Sequence, residues 1–416
     1  MLDPGAQPDR PAGTAPARGK GSLSFSVVES HAELRELLPA WLALFAASRT
    51  PNPFAHPLWQ LTWGQHFVRA GELYVVAIHL GGRLVAVAPF FRRRYGLGRT
   101  AATTVLRMFG TGRHAAITEL PQALIAPGLE RRALAAIVGG LVARSDEWDW
   151  IELALPPEHG WLEPEWAARP PAAPPAFPMH KASAACVVLP LPGSSAALRA
   201  GLKRNVRESL RRGVNRLDAA GVPWRVETDC APDQLGAAVE DVIRLHSARA
   251  GIAGHLEHDD HLEEPESRAF LHDVAGQLHA EGALRVARLV AGEETLAANL
   301  ILRAHGTVFT SLSGMAPDAW RYGAITVLLG RVLDEAADEG FERANLSLGP
   351  SQAKLRWSER IETHNQFVIV ANRRGARTAF AAYWHARAAM LLRRHGRVST
   401  AKAGDRFRRA LARRAS

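Results

Sequence analysis

Trp320-Arg321-Tyr322-Gly323-Ala324 is the stretch whose chemistry is easiest to name. It lies directly ahead of a helix-period run. A helix N-terminus presents unpaired N–H groups and about half a positive charge, which suits a pyrophosphate. Gly323 lets a ligand approach the backbone closely. A second set of groups for an anion is the run from Leu202 to Leu217, which carries Lys203, Arg204, Arg207, Arg211, Arg212 and Arg216 all round. It reads equally as a solvated surface helix or as a landing site for phosphates. It lacks the interleaved aromatics that stack single-stranded bases. The run His255 to His261 joins imidazoles and carboxylates at spacings that can bind divalent ions. It is hydrophilic throughout and reads as an exposed loop, so no metal is expected. Gly96-Leu97-Gly98-Arg99-Thr100-Ala101 has dinucleotide-type glycines but no prompt helix, and is read as a loop. There is no Walker loop, nucleophile elbow or zinc-finger spacing.

The elements that position the Arg321–Ala324 loop are legible around it. Leu284 to Val290, Leu296 to Arg303 and Thr307 to Ser313 are short β-rich runs split by turn residues, an antiparallel meander. From Gly323 to Gly340 the period becomes helical, with Ile325, Leu328, Leu329, Val332, Leu333 and Ala336 on one face. Gly340 closes that helix at its C′ position. Phe341 to Leu348 returns as a strand. Strand, helix and strand in one sheet favour a parallel pair with a right-handed crossover.

Earlier in the chain, Leu34 to Phe45 form an amphipathic helix, and Trp59, Trp63 and Phe67 continue at helical spacing. Leu73 to Leu80 and Leu84 to Phe91 flank Gly81-Gly82 as a hairpin. Arg131 to Ala143 is a helix and Asp149 to Leu155 a strand. Ala184 to Leu189 opens a second half, Ser194 N-caps a helix over Leu198 to Ala220, and Leu235 to Arg249 is a helix carrying His246. Ile361 to Val370 is the last strand. The boundaries expected are a disordered segment at 1–20, a first domain at 21–155, a Pro-rich strap at 156–181, a second domain at 182–372 and a basic helical tail at 373–416.

Hydrophobic residues make up 47% and charged ones 22%, so cores for two or three domains are within reach. No apolar run approaches the roughly 18 residues that span a bilayer. Two cysteines, Cys186 and Cys230, in so long a chain argue against a disulfide framework and fit a reducing cytoplasm. The net charge of +10 attracts anions without choosing among them. The tail gives a surface for peripheral membrane contact.

The strand–loop–helix–strand order resembles the core of GNAT acyltransferases. Lys354-Leu355-Arg356-Trp357, just after the last strand, looks like the Tyr-Lys-x-x-Trp element of the CelD-like branch, relatives of the FemAB transferases. Phe54, Pro57 and Trp59 fit that branch's Phe-x-x-Pro-x-Trp opening. Its usual Ser-Pro-Gly is replaced here by Arg321-Tyr322-Gly323. The resemblance implies an α+β fold of two tandem GNAT-like halves, with the chemistry in the second. It implies acetyl-CoA, or another acyl-CoA, as co-substrate, held by Arg321, Tyr322, Gly323 and Ala324. Backbone groups of Leu312, Ser313 and Gly314 would polarise the thioester. His246 lies where the branch carries a His, and is the leading candidate base, since an acceptor amine must lose a proton to attack. Asp318, Glu342 or a water chain are the alternatives. Lys354 would serve the site, with Arg249 and Trp357 on the acceptor side. The acceptor implied is a small molecule such as a sugar amine, or a cell-envelope or exopolysaccharide precursor. A FemAB-like transfer from charged tRNA is a second reading, and a non-catalytic scaffold in polysaccharide synthesis a third.

Overall fold

The computed structural model describes residues 21–96, 102–112, 117–155, 176–250 and 260–390. The expected disordered segment at 1–20, most of the Gly96–Ala101 loop and His255–Asp259 lie outside them.

The first half opens with β1 (Leu23–Val28), α1 (His31–Ser48) and α2 (Pro57–Phe67). Ser30 starts α1 with a capping box: its hydroxyl accepts from the Glu33 amide, and the Glu33 carboxylate accepts from the Ser30 amide. β2 (Leu73–Leu80), β3 (Arg83–Gly96) and β4 (Ala102–Met108) follow as an antiparallel run, with the short β5 (Leu124–Ile125) on β3. α3 (Glu130–Ala143) leads to β6 (Trp150–Leu155), which pairs parallel to β4.

After β7 (Ala176–Pro190) come α4 (Ser195–Gly201), α5 (Arg204–Asp218) and β8 (Trp224–Glu227). Then the first half's order returns. α6 (Leu235–Ala250) and α7 (Pro265–Ala280) precede the meander of β9 (Leu284–Ala291), β10 (Glu294–Ala304) and β11 (Thr307–Met315). A 3-10 turn (Pro317–Tyr322) feeds α8 (Ala324–Asp338), and β12 (Arg343–Leu348) pairs parallel to β11. α9 (Gln352–Leu355) and β13 (Ile361–Ala371) close the sequence of strands. Residues 374–390 are helical.

Both halves therefore run strand, two helices, three antiparallel strands, helix, parallel strand. Their last strands are exchanged. β7 follows β6 in the chain but pairs with β12, while β13 follows β12 but pairs with β6. β7 and β13 also pair with each other, so one sheet runs unbroken in the order β1-β2-β3-β4-β6-β13-β7-β12-β11-β10-β9-β8. Of the strap at 156–181, residues 156–175 lie outside those described, and 176–181 are the start of β7. The exchange also places β13, which falls within the span 182–372, on the first half's β6.

The halves share a core as well as a sheet. Phe54 packs edge-on against Phe309, and Trp59 against Phe270, with ring centroids 5.0 and 5.2 Å apart. Such pairs contribute about 0.5–1.5 kcal/mol each beyond their burial.

One helix differs from its sequence reading. Leu198–Ala220 is not continuous: Leu202 and Lys203 are extended, and α4 ends where α5 begins. Leu202 is buried by this break, in line with Val206, Leu210 and Leu217. α5 thus has an apolar stripe beneath its charges. Ser194 caps α4 as expected, accepting from the Ala197 amide at 3.2 Å.

Candidate active site

β11 and β12 pair only where they start. Thr307, Val308 and Phe309 face Arg343, Ala344 and Asn345, and beyond them no further pairs form between the two strands among the described residues. The strands splay, and a carboxylate from the other half stands between them. Glu119, on the loop after β4, accepts from Ser311 Oγ on β11 at 3.0 Å. It also accepts from Ser347 Oγ at 2.5 Å and from the Leu348 amide at 2.9 Å, both on β12. Ser347 reaches it from a left-handed backbone, φ 72°, which a non-glycine residue adopts only under constraint. The Ser347 amide is turned to Asn345 Oδ1, 2.9 Å away.

The equivalent place in the first half is sealed. In matching register, β4 and β6 pair through Val105–Arg107 and Trp150–Glu152. Phe109 there is fully buried, where the second half has Ser311. Met108 Sδ takes the Ala154 amide, where the second half has Ser347. Arg107 and Glu152 form a buried ion pair at 3.0 Å, extended by the Tyr383 hydroxyl from the C-terminal helix. Among the described residues, the β11–β12 side has hydroxyls and a carboxylate in the gap between strands, where the β4–β6 side has Phe109 and Met108.

At the edge of this splay, α8 presents its N-terminus. Gly323 precedes it in a left-handed conformation, φ 65°, and no side chain caps the helix. A Cβ at Gly323 would meet nothing within 4 Å, so the turn is open. The Arg321 carbonyl is fixed by Arg216 Nη1 of α5 at 2.8 Å, and Gly213 lets α5 approach: a Cβ there would lie 2.9 Å from the Tyr322 carbonyl oxygen. The Arg321 guanidinium lies over the Tyr322 ring. Arg356 donates to Thr326 Oγ1 in the first turn of α8 at 2.8 Å, while its Nε is buried without a partner among the described residues. An uncapped helix end, an open glycine turn and an unpartnered guanidinium nitrogen fit the diphosphate of a coenzyme A.

Lys354 and Trp357 lie below the splay. The Lys354 ammonium donates to the Leu348 carbonyl. Burial lowers its pKa from the ordinary lysine value, opposed by the charges of Glu119 and of Cys186, were the thiol ionised. Cys186, on β7 opposite Leu348, is pushed up to about 12, by burial first and then by Glu119. Burial thus disfavours the thiolate that a nucleophile would need. Trp357 is buried.

His246, Arg249, Ser313 and Gly314 are brought together by the packing of α6 on β11. Gly314 is required: a Cβ there would lie 2.3 Å from the His246 amide nitrogen. Arg249 donates to Ser313 Oγ at 3.1 Å and acts electrostatically on Lys354. His246 is 1% exposed. Its Nδ1 sits 3.3 Å from the Ser313 carbonyl, and its Nε2 accepts from the His261 amide at 3.3 Å. Both nitrogens are engaged, and burial holds its pKa below the ordinary imidazole value. Leu312 is buried, with its carbonyl accepting from Asn299 Nδ2. Asp318 is exposed on the 3-10 turn, and no bond ties it to His246 or Lys354 among the described residues. Glu119 was not among the residues singled out from the sequence. Its neighbours Thr118 and Leu120 carry no motif, and only the tertiary meeting of the halves puts it in the splay.

Residues 204–357 match the family model described as acetyltransferase (GNAT) domain. No curated protein matches the chain. Among solved structures, FemX superposes with a TM-score of 0.52 at 9% identity, covering 82% of this chain and 96% of FemX. L-PGS from Bacillus licheniformis gives 0.47 at 12% identity, over 81% of this chain and 92% of that one. A tandem GNAT protein from the clavulanic acid biosynthesis pathway gives 0.40 at 15%, over 84% and 98%. The chain has an α+β fold of two tandem GNAT-like halves, the second of which matches the acetyltransferase (GNAT) domain.

Proposed function

We propose that the protein transfers an acetyl group from acetyl-CoA to an amine, with the reaction in the β11–β12 splay. The observation that carries this is the placement of an uncapped α8 terminus at the mouth of a gap that holds a carboxylate. Acyl-CoA supplies the activated thioester. The groups of this chain do the rest. Gly323, Ala324, Arg321, Tyr322 and Arg356 bind the diphosphate. The β11 backbone from Leu312 to Gly314, lying unpaired with β12, lies along the gap where the carbonyl would rest. Glu119 attracts the acceptor's ammonium and takes its proton, freeing the lone pair for attack; as the C–S bond breaks, the second proton that the nitrogen sheds on becoming an amide passes to the departing thiolate, which leaves as the thiol. We place the proton acceptor at Glu119 rather than His246, because both imidazole nitrogens are engaged, whereas Glu119 Oε1 accepts from Ser311 alone among the described residues and keeps a lone pair. His246 and Arg249 fix Ser313 and so act as positioning residues. Lys354 holds the Leu348 carbonyl and balances Glu119.

The CelD-like resemblance of the Lys354–Trp357 element supports a sugar amine or an exopolysaccharide precursor as acceptor, in the cytoplasm. Thiol release from acetyl-CoA, followed with amine acceptors, tests the reading. Acceptor-dependent release supports it. Tight binding of charged tRNA with no thiol release would instead favour aminoacyl transfer.

A further inference from the structure

Two adjoining cavities, of about 340 and 370 Å³, lie between the loop after α1 and the starts of β11 and β12. They share Pro51 and Arg343 in their walls. Neither contains any residue of the α8 terminus. The smaller has two buried side chains with unpartnered atoms among the described residues. Gln122, 4% exposed, donates its amide to Thr50 Oγ1 at 3.0 Å but leaves Oε1 without a donor. His364, 8% exposed, leaves Nδ1 without a partner. A buried acceptor left unmade costs about 1–3 kcal/mol, so such atoms mark places where a ligand's hydroxyl or N–H belongs.

The larger cavity is lined by Arg49, Arg343 and Arg360 against Glu342. Glu362, in the wall of the smaller one, pairs with Arg343 at 2.9 Å and lies 4.0 Å from Arg360, so three cations meet two carboxylates across the two cavities. Arg49 has no carboxylate partner among the described residues. Backbone constraint is concentrated here too. Three described non-glycine residues have positive φ: Arg49, His305 and Ser347. The first two line this cavity and the third holds Glu119. Strain of this kind, about 1–3 kcal/mol each, gathers at ligand sites.

The smaller cavity also adjoins the splay along the chain. Leu120 lines the smaller one and follows Glu119 directly, so their Cα atoms are about 3.8 Å apart. Asn345 lines it from the other side and accepts from the Ser347 amide. A molecule seated there is within a residue or two of the Glu119 carboxylate on both walls.

We infer that these cavities recognise the acceptor, an amine whose body carries hydroxyls and an anionic group: Arg49 and Arg360 hold the anion, Gln122 Oε1 and His364 Nδ1 receive hydrogen bonds from the hydroxyls, and the amino group is handed to Glu119. This rests on the acyl-transfer reading of the splay. The size and the separation of cationic from neutral polar walls fit a phosphorylated amino sugar.

Calorimetry on the full chain tests it with glucosamine 6-phosphate, glucosamine and inorganic phosphate, alongside acetyl-CoA. The sugar phosphate is expected to bind at least about tenfold tighter than either fragment. Arg49→Gln and Arg360→Ala, both at exposed side chains, are expected to weaken it about tenfold each with the acetyl-CoA affinity unchanged. Equal binding of inorganic phosphate, or indifference to both substitutions, overturns the inference, as does absence of sugar-phosphate binding in a protein that binds acetyl-CoA. Arginine-dependent sugar-phosphate binding without acetyl-CoA binding leaves the acceptor site standing and removes the donor reading instead.

Discussion

Glu119 Oε2 accepts from the Leu348 amide at 2.9 Å, so a carboxylate of the first half completes the gap between two strands of the second. Neither half owns the site. The first half's own gap is closed by Met108, Phe109 and the Arg107–Glu152 pair, and what it contributes to the second half's gap is the loop that carries Glu119. This division explains why the chain needs both halves locked in one sheet by exchanged strands.

Glu119→Gln keeps the size of the side chain and removes its ability to take a proton. The turnover number for acetyl transfer is expected to fall by about 10²–10⁴-fold. The KM for acetyl-CoA should stay within about twofold, because the donor is held elsewhere. Steady-state kinetics on both substrates check this. A turnover number unchanged by the substitution assigns the proton to another group.

Gly314→Ala drives a methyl into the α6 backbone at Leu245 and His246. Overpacking of this kind costs about 1–3 kcal/mol, read as a lowered urea midpoint. Because Gly314 adjoins Ser313, activity should fall more than folding does at low temperature. A variant with wild-type stability would mean that α6 does not press on β11.

Acid should destabilise the protein before its carboxylates titrate. His56 and His364 are both held down to about 4, first by burial and then by His305 and Arg343 respectively. The unfolded chain binds those protons near pH 6.5, so between about pH 6.5 and 4 it carries more protons than the folded one. Stability is therefore full above about 6.5 and declines as pH falls toward 4, by up to roughly 3 kcal/mol per histidine. Urea unfolding across that window checks the slope, and His364→Gln should make it shallower. A flat profile would show that neither imidazole is held neutral.

The meander, α8 and the crossover to β12 were legible in the sequence because each has a strong period bounded by turn residues. Gly323 and Gly340 were legible for the same reason, as they stand where a helix begins and ends. What was hidden is what depends on the far side of the chain. The break at Leu202–Lys203 interrupts the helical ladder while one leucine is buried, which no local signal shows. The apolar stripe Val206, Leu210, Leu217 was masked by six basic residues around it. The strand exchange leaves no trace in β7 or β13 alone, and Glu119 became visible only where two halves meet. His246 was the leading candidate base in the sequence, whereas packing takes up both its nitrogens.

The central claim is that the open turn at Gly323 and the amide end of α8 hold the donor's diphosphate. Calorimetric titration of acetyl-CoA into the wild type and into Gly323→Val tests it most directly, since the branched side chain disfavours the left-handed backbone that the turn requires. One binding site in the wild type, weakened by about tenfold or more in the variant while its circular dichroism is retained, is the expected result. No binding to the wild type, or equal affinity in both proteins, would contradict the account.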